Sequence, residues 1–103
     1  MKVKIPRKIK IGTHTYNVMF DRNIRTDDGH IGQVNQRTQE IKIWTEAALT
    51  QKNVTLIHEV IHIGEYCYRV NISDEDIDRI AECITMLLVD NLGIEFDWSE
   101  IEK

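Results

Sequence analysis

The chain has 103 residues, 42% of them hydrophobic and 29% charged, with a net charge of −4, as expected of one globular domain whose core is just large enough to stand alone. No apolar run approaches the ~20 residues of a membrane span, and Met1-Lys2-Val3-Lys4-Ile5-Pro6 has no apolar signal-peptide core, so a cytoplasmic protein without a membrane partner is expected. Residues 1–50 carry nine Lys/Arg against five Asp/Glu and residues 51–103 four against twelve, but the basic N-terminal residues alternate with Val3, Ile5, Ile9 and Ile11 as on a solvated strand face, and no nucleic-acid partner is expected. Cys67 and Cys83 lack C-x-x-C spacing and read as free thiols in a reducing compartment; a bridge between them would need an oxidising one.

In chain order, the first half predicts strands. Lys8 to Ile11 precedes a Gly12-Thr13 turn and the β-forming run Tyr16 to Phe20. Asp27-Asp28-Gly29 signals a turn. Ile31 to Val34 and Glu40 to Trp44 flank Asn35 to Gln39, which predicts a hairpin with a loop longer than two residues. Ile41 and Ile43 alternate with Lys42, so one strand face is buried.

The second half predicts two helices. The first is expected to run from an N-cap at Thr50 to about Arg69, and the second from an N-cap at Ser73, with acids in its first turn, to Asn91, before a stop at Gly93. The short connection makes them antiparallel neighbours. The fold class expected is α+β: one domain over 1–103, with a small antiparallel sheet of three to four strands in 1–46, packed on two antiparallel helices in 50–92. In the tail, 93–103, Phe96 and Trp98 are expected to pack on the body.

Within the first helix lies His58-Glu59-Val60-Ile61-His62. Residues four apart share a helix face, so His58 and His62 can aim two imidazoles at one point, as a tetrahedral zinc ion requires. Glu59 sits one step round the helix, where a carboxylate can reach a water at the open coordination position. Leu56, Ile57, Val60, Ile61 and Ile63 surround the motif, so the helix is largely buried and its polar residues need partners.

A catalytic zinc ordinarily takes three protein ligands, and the second helix should supply the third from Glu75, Asp78 or Glu82. At ~1.5 Å rise per residue, His58 and His62 lie roughly 16 and 10 Å from the end the helices share, Glu82 roughly 13 Å and Asp78 roughly 7 Å. Glu82 is therefore the expected ligand and Asp78 the alternate. His30, Tyr66 and Tyr68 are candidates to stabilise an oxyanion. His14 is expected at the surface, and Trp44 and Trp98 at the edge of the core.

The motif, followed by Ile80-Ala81-Glu82-Cys83-Ile84-Thr85, resembles the gluzincin branch of zinc metallopeptidases, whose second helix carries N-E-x-x-S-D. The resemblance implies Glu82 as ligand and Thr85 in the Ser position, while Ala81 and Met86 stand where that pattern has Asn and Asp. Minimal gluzincins have a similar length, and their N-terminal strands block the cleft. The order of sheet, Thr55-Leu56-Ile57-His58 helix and acidic-start helix also resembles small phage and mobile-element metallopeptidases of the ImmA/IrrE type. There the ligand acid precedes x-x-Ala, as Asp78 precedes Arg79-Ile80-Ala81.

Both resemblances imply one Zn2+ per chain and hydrolysis of a peptide bond by a zinc-bound water that Glu59 activates. The substrate would be a protein or peptide, a regulatory protein among the candidates, laid along the strand Glu40 to Trp44 if that strand is a sheet edge. Two other classes stand beside this one. A chain this short leaves only the ten residues 94–103 to complete a cleft, which fits a non-catalytic zinc-binding regulatory or interaction module. The other is a metal-free helical interaction protein with a chance motif.

Overall fold

The computed structural model describes residues 1–24 and 30–102; the turn expected at Asp27-Asp28-Gly29 lies outside them. The strands are β1 (Lys2–Lys4), β2 (Lys8–Ile11), β3 (His14–Asp21), β4 (Gly32–Asn35), β5 (Glu40–Trp44) and β6 (Glu95–Asp97), and the long helices are α1 (Leu49–Tyr68) and α2 (Asp74–Met86). The α+β class and the pair of helices are as the sequence predicts. The sheet is mixed rather than antiparallel: its order is β2-β3-β5-β4, with β2/β3 and β4/β5 antiparallel but β3/β5 parallel. Alternating hydrophobicity marks a buried face and carries no strand direction. The stretch 22–39, which contains β4, is long enough for the crossover a parallel pair needs.

That crossover makes β5 a central strand, with Ile41 and Ile43 fully buried, and leaves β4 at the sheet edge. The edge anticipated at Glu40–Trp44 is therefore β4 instead. The β4/β5 hairpin closes through Asn35, whose Oδ1 accepts from the N–H groups of Arg37 and Thr38 at 2.9 and 3.1 Å.

One face of α1 carries Leu56 and Ile63 onto the sheet, where they meet Tyr16, Val18, Ile41 and Ile43 in the core. The helix starts at Leu49 rather than after Thr50, because the Gln51 side chain accepts from the Ala48 N–H at 3.0 Å and satisfies the helix entry there. Arg69 ends it in the left-handed region, with φ 55°. Ser73 caps α2 as expected, accepting from the Asp76 N–H at 3.2 Å. The helix continues into a wider π-helical turn at Leu87–Asn91.

Phe96 and Trp98 are buried, and the tail contains β6, which pairs in parallel with β1. Neither strand's short sequence announces this pairing. Cys67 and Cys83 are free thiols. No described helix is long and apolar enough to cross a membrane.

Candidate metal centre

The histidine motif lies between β4 and α2. The connection after α1 folds back on its last turns: Glu65 Oε2 accepts from the Ile72 N–H at 2.9 Å, and the Glu65 carbonyl from the Val70 N–H at 3.2 Å. Laying Ile72 beside Glu65 starts α2 about a turn deeper along α1 than a simple end-to-end count assumes, each residue being worth ~1.5 Å. Asp78, not Glu82, consequently meets His58. Its Oδ1 lies 2.8 Å from His58 Nδ1. Glu82 lines a separate cleft with Thr50, Asn53 and Val54.

The other ring of the pair is held the same way, with His62 Nδ1 2.9 Å from Glu65 Oε1. A carboxylate at each Nδ1 assigns the ring proton to that nitrogen and leaves Nε2 with its lone pair. The two Nε2 atoms stand 3.1 Å apart. Zinc–nitrogen bonds of about 2.0–2.1 Å at a tetrahedral angle place two ligand nitrogens roughly 3.3 Å apart, so the pair has the spacing of two metal ligands. Two lone pairs at this distance repel, and a cation between them, a proton or a metal ion, converts the contact to an attractive one. Burial, then the neighbouring His62, lowers the His58 pKa, while Asp78 opposes the shift; the net effect favours the neutral ring that metal binding requires.

Glu59 faces the sheet side of α1 and is 5% exposed. Burial raises its pKa to about 7, the charge of Asp78 adding to the rise and His62 opposing it. Its carboxylate makes no hydrogen bond with a described residue. Gly32 on β4 gives it room: a Cβ there would lie 2.3 Å from Thr55 Cγ2 and 3.3 Å from a Glu59 carboxylate oxygen.

His58, Glu59, His62 and Asp78 line a cavity of about 530 Å3 with His30 and Gly32. Of the oxyanion candidates, His30 is in this lining, while Tyr66 and Tyr68, 58% and 65% exposed, are not. No residue of β1, β2, β3 or the tail contributes to it, so the N-terminal strands do not wall the cavity. Expected surface residue His14 is half-buried, its Nδ1 3.0 Å from the Gln39 side-chain nitrogen.

The donor pair thus fits a zinc ion. A complete set does not stand assembled: among the described residues, no group of three His, Cys, Asp or Glu side chains is placed to hold a metal. Sequence reasoning missed Glu65 and Gly32. Glu65 follows His62 by three residues, which helix geometry makes a neighbour, and that spacing was available as a signal. Gly32 depends on the approach of β4 to α1, which no local pattern reveals. No protein-family model, curated protein or solved structure matches this chain.

Proposed function

We propose that this protein is a zinc-dependent peptide hydrolase. The observation that carries the reading is the convergence of two carboxylate-anchored imidazoles beside a buried Glu59 that has no hydrogen-bond partner among the described residues. His58 and His62 would hold the metal through Nε2, with Asp78 and Glu65 fixing their rings through Nδ1; to serve as the third ligand Asp78 would have to leave His58. The Glu82 expected from the gluzincin pattern lines the other cleft. Bound zinc would supply Lewis-acid chemistry, polarising a carbonyl and acidifying water.

Glu59 is suited to the proton work. Beside the two imidazoles its carboxylate can accept a proton from the attacking water and return it to the leaving amine, and burial lifts its pKa to about 7 in the metal-free chain. The substrate backbone has a natural track in β4, the edge strand along the cavity through Gly32, Gln33 and Val34. An extended peptide can pair with the outward N–H and C=O groups of an edge strand.

A second reading, a non-catalytic zinc-binding module for a partner protein, draws support from the incomplete donor set. E59Q separates the two: it should keep zinc and abolish cleavage of an unstructured protein substrate. Cleavage that persists in E59Q would remove the hydrolase reading, and a cellular effect that survives the substitution would favour the module.

A further inference from the structure

The cleft that receives Glu82 is built for a particular kind of side chain. It lies between the first turns of α1 and the end of α2, has a volume of about 270 Å3, and is walled by Val54, Thr85, Met86 and Val89, with Glu82 and Asp90 also in its lining. That volume is many times the ~30 Å3 share of one water. A third hollow, of about 290 Å3, shares His58, Glu59 and Asp78 with the histidine cavity and Val54 with this cleft. The cleft therefore neighbours the histidine cavity along α1, with Val54 at the boundary. Val54 is four residues from His58, a rise of ~6 Å, which an extended peptide covers in about two residues at ~3.3 Å each.

We infer that this cleft receives a lysine or arginine side chain of the substrate, within about two residues of the bond to be cut. The apolar walls suit a methylene stem, and Glu82 and Asp90 suit a cationic head. Neither carboxylate forms an ion pair with a described residue. Both residues are exposed, so their charges remain available to a cationic head, and an acidic side chain would be repelled. The place of the cleft relative to the cut bond rests on the proposed hydrolase reading, whereas its affinity for a basic side chain does not.

Two readouts keep these apart. The zinc-loaded chain is given a random-sequence peptide mixture, and cleaved positions are read by mass spectrometry. In parallel, amide shifts of the metal-free chain are followed during titration with capped Ala-Lys-Ala or Ala-Glu-Ala. Lys and Arg should be enriched about tenfold at one position near the cut, the scale of a hydrogen bond to a charged group, and the enrichment should vanish in E82Q/D90N. The Val54, Thr85 and Val89 amides should shift with the Lys peptide alone.

Cleavage without a basic preference, or with one that survives in E82Q/D90N, overturns the cleft assignment. If nothing is cleaved, the titration decides: shifts specific to the Lys peptide uphold the cleft and remove the hydrolase reading, while their absence removes both. Loss of zinc from E82Q/D90N would return Glu82 to the metal and likewise overturn the assignment.

Discussion

Asn53 and Glu59 are buried polar side chains on one helix, 7% and 5% exposed, and they fare differently. Asn53 accepts a hydrogen bond of 2.8 Å from the Trp98 indole and ties the tail to α1. Glu59 has no such partner among the described residues, and its pKa rises to about 7. A buried polar group that serves the fold is satisfied, as most are. One that burial pushes toward its protonated form, its carboxylate opening onto the cavity that two converging imidazoles line, costs stability when ionised and is a functional-site candidate on that account. The contrast separates the α1 end that builds the domain from the stretch that holds the candidate site.

The largest expected effect tests Glu59. Its folded pKa of about 7 lies above the ordinary 4.5, so between these values the folded state binds more protons than the unfolded one. Stability of the metal-free chain therefore falls as pH rises through that window, by about 3 kcal/mol at ~1.4 kcal/mol per unit. E59Q removes the ionisation. In chelator, its melting temperature should exceed the wild type's at pH 8 by on the order of 10 °C more than at pH 5. An unchanged difference at the two pH values would show that Glu59 is not held at a cost.

Asn53 should behave oppositely. N53A leaves the buried Trp98 N–H unpaired and should lower stability by roughly 1–3 kcal/mol, nearly independently of pH, in urea titrations. A stabilising N53A would break the contrast from its other side. Gly32 joins the two regions sterically. G32A forces a methyl toward Thr55 Cγ2, where the ideal Cβ distance is 2.3 Å, and should cost about 1–3 kcal/mol through overpacking. A neutral G32A would mean that β4 does not approach α1 at Thr55 as closely as described.

The smallest stability effect is expected at Asp78, whose side chain is 66% exposed. D78N should leave the melting temperature nearly unchanged. It should weaken zinc binding about 10- to 100-fold by releasing the His58 ring, as competition with a chelator would measure. Full zinc affinity in D78N would remove Asp78 from the site.

Much of this arrangement is legible in the sequence because it is local. Spacing of four along a helix pairs His58 with His62, and Ser73 followed by three acids marks the start of α2. What is not legible depends on how distant segments meet. The parallel β3/β5 pair joins strands that stand on either side of β4 in the sequence, and β1/β6 joins strands from the first and last parts of the sequence. The choice of Asp78 over Glu82 as the acid beside His58 follows from one hydrogen bond, Ile72 to Glu65, which sets the depth of α2. A helix-rise count without that bond is wrong by a turn, which suffices to exchange the two acids.

The most direct test of the central claim is calorimetric titration of zinc into the metal-free chain, beside H58A and H62A. Two converging Nε2 atoms predict one zinc per wild-type chain, with binding lost in both variants while circular dichroism shows the helices retained. No binding to the wild type, or equal binding to all three proteins, would contradict the account and leave the histidine pair a proton-bridged structural contact.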